Sequence, residues 1–202
     1  MKIAREIVLV DVDRHPGTDV ALDEIRAACN ATTWPPGSAD FAIYPESGKK
    51  RGMGNGVLPI RHGFVVELEH RGWGAEVAFP LKSAAGANFG AMDAARSIEG
   101  GLPFMVEWET GNISSSHRAM NKLALGLTSG VIAGGVLLVP TKDFARYLTD
   151  RIGNEWELLP YTPLWQSIRV TRGYLAIFAV EHDREDTNVE RIPKGTDGRA
   201  LS

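Results

Sequence analysis

Glu107 and Glu109 stand two apart in the run Leu102-Pro103-Phe104-Met105-Val106-Glu107-Trp108-Glu109, with Asp93 upstream of it. The apolar residues of the run read as a strand, and residues two apart on a strand share a face. Glu107 and Glu109 therefore project together, their Cβ atoms roughly 6–7 Å apart, while Val106 and Trp108 face the other way. Two like charges on one face of an apolar strand repel each other and resist leaving water. A divalent cation held jointly with Asp93 answers both costs, because hard cations take carboxylate oxygens. One or two Mg²⁺ ions so held would polarise a phosphoryl group, lower the pKa of an attacking water and steady the leaving oxygen. Glu76, just after the turn Gly72-Trp73-Gly74, offers a fourth carboxylate. Spacing alone leaves a second reading open, a solvated acidic strand face.

The formal net charge of −3 over 202 residues gives no global pull toward nucleic acid or an anionic membrane. The charge is nevertheless segregated. From Ser47 to Val66 the chain carries Lys49, Lys50, Arg51 and Arg61 and no acid; from Thr110 to Lys142 it carries Arg118, Lys122 and Lys142, again without an acid. The glycines at 52, 54 and 56 match neither G-x-G-x-x-G nor the phosphate loop with its Lys-Ser/Thr, so they read as a flexible turn. Together with the four basic residues that turn is a candidate for gripping a nucleic-acid backbone, with an ordinary solvated charge cluster as the alternative.

Other chemistries find little support. His15, His62, His70, His117 and His182 have no metal-ligand spacing, and Ser114–Ser116 beside His117 reads as a helix cap rather than a nucleophile elbow. Cys29 is the only cysteine, which excludes an intrachain disulfide and a cysteine zinc site. The apolar stretch Ile7–Val10 is too short for a signal peptide, and no run is long enough to span a bilayer. A reducing cytoplasm and no membrane association are the expectation.

Positioning these side chains needs a framework, and the pattern supplies one. Residues 18–30 read as an amphipathic helix, residues 41–44 as a short strand or extended piece, and Gly63–Arg71 as a second helix. The Glu107/Glu109 strand leads to a helix from Ser114 to about Leu127, with Met120, Leu123, Ala124 and Leu127 inward and Arg118 and Lys122 on another face. Val131–Val139 is an apolar strand, residues 142–152 a helix, and Tyr174–Val180 a last buried strand. The expected architecture is α/β, a mixed central β-sheet flanked by helices, without the regular βαβ alternation of a doubly wound nucleotide fold. Residues 1–182 form one domain in this reading, and 183–202 a polar, flexible tail.

In order along the chain, Lys50–Arg61, Gly72-Trp73-Gly74-Ala75-Glu76, Asp93, Val106–Asn112, Gly135–Pro140 and Arg151-Ile152-Gly153-Asn154 resemble restriction endonucleases of the BamHI/BglII type, within the PD-(D/E)xK nuclease superfamily. The resemblance covers Trp34 to Asp183. It implies a restriction-endonuclease-like fold and a Mg²⁺-dependent, sequence-specific nuclease that cuts double-stranded DNA as a homodimer and admits a companion DNA methyltransferase. Asp93 and Glu107 would bind metal. Glu109 would stand where most of the superfamily has Lys and help activate water, and Glu76 would match an extra acid borne on a helix. Asn112 and Ser114 would read base edges, Arg118 and Lys122 would face phosphates or bases, and Lys49, Lys50, Arg51, Asn55 and Arg61 would follow the duplex backbone. The chain departs from the pattern in having no proline directly before Asp93. A DNA-binding relative without catalysis and a metal-free carboxylate-pair hydrolase are the other readings.

Overall fold

Apolar burial fixes the centre of the molecule. The runs Gly134–Pro140 and Gly173–Glu181 are apolar on both faces, as parallel strands covered on two sides must be. The computed structural model describes residues 1–50, 52–82, 85–98, 100–109, 111–149 and 152–194. In chain order these form β1 (Lys2–Val12), α1 (Thr18–Ala31), β2 (Ala42–Ile43), α2 (Leu58–Glu69), β3 (Gly74–Ala78), β4 (Ala91–Ser97) and β5 (Pro103–Trp108). There follow α3 (Ile113–Thr128), β6 (Gly134–Pro140), α4 (Lys142–Ala145), α5 (Glu155–Leu158), a 3-10 turn at Leu159–Tyr161, α6 (Thr162–Gln166), β7 (Gly173–Glu181) and β8 (Arg184–Glu185).

Six strands make one mixed sheet in the order β1-β7-β6-β5-β4-β3. The middle pairs β5–β6 and β6–β7 are parallel, and the outer pairs β1–β7, β4–β5 and β3–β4 are antiparallel. One face is packed by a core that includes Leu22 and Ile25 of α1, Phe64 of α2, and Val106 and Trp108 of β5. The other is packed by Met120, Leu123 and Leu127 of α3 with Leu158 and Trp165. The architecture is therefore the expected mixed sheet flanked by helices.

Several elements differ from the sequence reading, each for a physical reason. Strand β1 is missed because it is an edge strand whose exposed polar residues leave only Leu9 and Val10 fully buried. Strands β3 and β4 are missed because they are built mostly of Gly, Ala and charged residues, and only pairing with one another and with β5 makes them strands. Helix α2 starts at Leu58, with Pro59 in its first turn where a missing N–H costs nothing. The helix expected over 142–152 stops after Ala145. The Arg146 carbonyl accepts the Gly48 N–H, and the Tyr147 carbonyl accepts the Asn55 N–H, both at 2.8 Å, which diverts the backbone from a helical ladder.

The same contacts correct two further expectations. The glycine-rich segment is a packed loop rather than a flexible turn. A Cβ on Gly48 would lie 1.5 Å from the Leu148 carbonyl oxygen, and one on Gly56 1.9 Å from that of Pro193. Likewise, the expected tail is ordered structure through Lys194. β8 pairs in parallel with β2, the Gly56 N–H bonds the Ile192 carbonyl, and Ile192 is buried in the core. Cys29 is buried and unpaired. Among the described residues no helix is long and apolar enough to cross a membrane.

Candidate active site

Strand register builds the acidic row. Pairs Ala75–Ala94 and Val77–Met92 place Glu76 opposite Asp93, and Ala94–Val106 places Asp93 opposite Glu107 one step further along. Opposed residues on adjacent strands share a face, so carboxylates from three strands are brought side by side. The Asp93 N–H donates to Glu107 Oε2 at 3.2 Å, and Asp93 Oδ2 accepts the buried Trp108 N–H at 2.7 Å. Asp93 is buried, and its carboxylate is thereby anchored to the backbone of β5.

Glu107 leaves its neighbours Val106 and Trp108 in the core beneath α1 and α2 and faces α3. Burial, reinforced by the charge of Asp93, pushes its pKa up to about 7 against the opposing pull of Lys122. Glu109 lies just past the end of β5, where its Oε1 accepts the Gly111 N–H at 2.6 Å, and its charge also raises Glu107. Glu76 sits on β3, not on a helix as the resemblance implies, at a left-handed φ of 49° that is uncommon for a residue with a side chain.

Two of the basic residues expected along the DNA lie against this acidic row. Arg61, in the first turn of α2, donates Nε to Asp93 Oδ1 at 2.8 Å and bridges Asp93 to Glu76 through Nη2. Lys122 is buried. Its Nζ donates to the Ala91 carbonyl at 3.0 Å and lies 3.6 Å from Glu107 Oε1. Lys122 was expected to face phosphates or bases beside Arg118. It points toward the sheet instead, on the buried face of α3 with Ala119 and Gly126, its ammonium 5.9 Å from the centre of the Phe79 ring. The signal was a lysine on the same helical face as the small residues Ala119 and Gly126.

Asn55 is also removed from the DNA-facing set. It is fully buried, its Nδ2 donates to the Tyr44 and Tyr147 carbonyls at 2.9 Å each, and its Oδ1 accepts the Ile192 N–H at 3.1 Å. It joins three segments of chain. Lys49 and Lys50 remain exposed, and Arg51 lies outside the described residues, as do Thr110 and Arg151 of the quoted motifs.

The start of α3 forms a second, exposed cluster. Asn112 is the helix N-cap and accepts the N–H groups of Ser114 and Ser115 at 3.0 and 3.3 Å; Arg118 Nη2 donates to the Ser115 hydroxyl at 3.0 Å. Asn112, Ser114 and Arg118 all face solvent at a helix N-terminus, a location that favours anions.

Among the described residues no three His, Cys, Asp or Glu side chains converge as a ready ligand cage, because Arg61 stands between Asp93 and Glu76. The donor set still suits a hard divalent cation. Asp93 and Glu107 meet in a buried setting that disfavours the charge of Glu107, and a cation there relieves it.

The restriction endonuclease BamHI family matches residues 1–199. The type II restriction enzyme OkrAI of Oceanobacter kriegii is 45% identical over 201 residues, covering 100% of both chains. The type II restriction enzyme BamHI of Bacillus amyloliquefaciens is 37% identical over 183 residues, covering 88% of this chain and 81% of that one. Among solved structures, restriction endonuclease BglII complexed with a DNA 16-mer aligns with a TM-score of 0.47 and 10% identity over 65% of this chain and 64% of that one. With a match that runs from the first residue to Arg199 and a full-length relative of that identity, the chain belongs to the BamHI family of type II restriction endonucleases.

Proposed function

We propose that this restriction endonuclease hydrolyses a phosphodiester bond in each strand of a specific double-stranded DNA site, acting in the cytoplasm as a Mg²⁺-dependent homodimer. The observation that carries the reading is the meeting of Asp93 with Glu107 across β4 and β5 in a chain of this family. Asp93 and Glu107 would hold the ion. When bound, Mg²⁺ polarises the scissile phosphoryl group and makes the attacking water more acidic.

The protein's own groups divide the remaining work. The Trp108 N–H fixes the Asp93 carboxylate, and Lys122 orients Glu107 and tempers its charge. Glu109, held by the Gly111 N–H, takes the proton from the attacking water. Asn112, Ser114 and Arg118 face the major groove from the start of α3, and Lys49 and Lys50 hold the backbone electrostatically. Trp156, Tyr161 and Leu164, on α5, the 3-10 turn and α6, are large apolar residues exposed to a second subunit. A companion methyltransferase would protect the host's own sites.

The test is digestion of unmethylated phage DNA at low salt with Mg²⁺ or with EDTA. Discrete fragments with Mg²⁺ alone support the proposal, and Glu107→Ala abolishes them while DNA binding persists in a mobility-shift assay. Cleavage that ignores chelator would favour a metal-free carboxylate pair. Binding without cleavage under Mg²⁺ or Mn²⁺ would favour an inactive relative.

A further inference from the structure

The two cations beside the acidic row are held in different ways. Lys122 is 9% exposed, its ammonium bonded to a carbonyl and its stem enclosed between α3 and the sheet. Arg61 is 24% exposed and reaches in from α2 on a long stem, so its guanidinium can leave without disturbing any strand. The two oxygens of Asp93 differ as well. Oδ2 is turned to the backbone N–H of Trp108, which leaves Oδ1 as the oxygen presented outward, and Oδ1 is the one that Arg61 takes with both Nε and Nη2.

We propose that Arg61 is a resident cation occupying the metal-facing oxygen of Asp93 in the metal-free protein, and that metal binding is an exchange that displaces its guanidinium. The inference rests on the metal-dependent reading above. A divalent ion and a guanidinium at one carboxylate oxygen would bring like charges within a few ångströms, so one excludes the other. Until the metal arrives, Arg61 offsets the mutual repulsion of Glu76 and Asp93, two acids that strand register forces together. The cost is a metal affinity lower than the carboxylates alone would give.

Exchange also gives the site a direction. A phosphodiester takes a guanidinium in the same forked manner as a carboxylate does. DNA that draws Arg61 away from Asp93 therefore frees the oxygen the metal needs, and metal that frees Arg61 supplies a cation for DNA. Such coupling is reciprocal by linkage.

The experiment is Mn²⁺ binding without DNA, measured by calorimetry on the purified protein and on Arg61→Gln, Arg61→Lys and Asp93→Asn. Arg61→Gln is expected to bind Mn²⁺ about tenfold more tightly, equal to about 1.4 kcal/mol. Arg61→Lys, which keeps the charge but loses the fork, should fall between. In the unsubstituted protein, the Arg61 Nε–H resonance should shift during a Mg²⁺ titration with the midpoint of metal binding. Equal or weaker Mn²⁺ binding by Arg61→Gln, with binding abolished in Asp93→Asn, would overturn the exchange while leaving the metal site standing. Absence of Mn²⁺ binding in every protein would overturn both. If Arg61→Gln fails to fold, an Nε–H resonance that stays fixed through the Mg²⁺ titration overturns the exchange by itself.

Discussion

Strands β6 and β7 run side by side through the centre of the molecule with every residue from Gly134 to Pro140 and from Gly173 to Val180 buried, and none of them charged. Strands β3, β4 and β5 continue the same sheet but set Glu76, Asp93 and Glu107 in a row across it. The parallel half can rely on apolar burial, which requires no ligand. The antiparallel half carries like charges that burial penalises, and it needs Arg61 and Lys122 to offset them. Stability and the proposed chemistry thus fall largely on different halves of one sheet, and the seam between them is β5, paired with β4 on one edge and β6 on the other.

The largest effect should come from neutralising the acidic half. Glu107→Gln is expected to lower the cleavage rate by a thousandfold or more, about 4 kcal/mol of barrier, in a single-turnover assay with Mg²⁺. Its thermal stability without metal should be unchanged or raised, because a buried charge that repels Asp93 is gone. A variant that loses both activity and several degrees of melting temperature would break the division of roles. Next in size is Ile177→Ala in β7, where truncating a fully buried side chain costs about 3 kcal/mol. That corresponds to a melting temperature roughly 6–12 °C lower for a chain of this size. Activity per folded molecule at 25 °C should stay near that of the parent protein.

What could be read from the sequence follows the same line. Strands β5, β6 and β7 and helices α1 and α3 announce themselves by apolar pattern, and the carboxylates Asp93 and Glu107 by their place relative to β5. The other members of the site depend on long-range pairing that no local pattern shows. Arg61 meets Asp93 across 32 residues, and Asn55 meets Tyr147 across 92 and Ile192 across 137. A lysine or arginine in an acid-free stretch reads as solvated because its partner lies on another strand. Strand β4 looks like a linker for the same reason, since Ala91–Ser97 has little strand propensity of its own. The C-terminal segment reads as a tail because Ile192 is the only buried apolar residue among Asp183–Lys194.

A smaller effect is expected at the entrance to α3. Asn112→Ala removes the acceptor for the Ser114 and Ser115 N–H groups and should cost about 1 kcal/mol in chemical denaturation. If Asn112 also reads a base edge, as proposed, affinity for the cognate site should fall while affinity for unrelated DNA holds in a mobility-shift titration. Equal loss on both DNAs would make the residue a cap alone. Because Asn112 lies just beyond β5, this variant tests whether the seam can carry a stability role and a recognition role in one side chain.

The smallest effect should lie at an exposed ion pair beyond the end of β7. Glu185, on β8, accepts the Tyr147 hydroxyl and pairs with Arg146 at 3.1 Å, and it is 45% exposed. The Tyr147 hydrogen bond, aided by Arg146 against a small burial penalty, lowers its pKa below the ordinary 4.5. A carboxylate lowered in the folded state contributes stability above the unfolded value, and that contribution is lost as pH falls through the folded one. Solvent screening keeps it small, so Glu185→Gln should cost about 0.5 kcal/mol or less at pH 7. The difference from the parent protein should fade below pH 4.5 and in high salt, which denaturation curves at two pH values and two salt concentrations would show. A loss of several kcal/mol would mean that a surface charge holds the C-terminal segment against the core. In that case stability would no longer belong to the apolar half of the sheet alone.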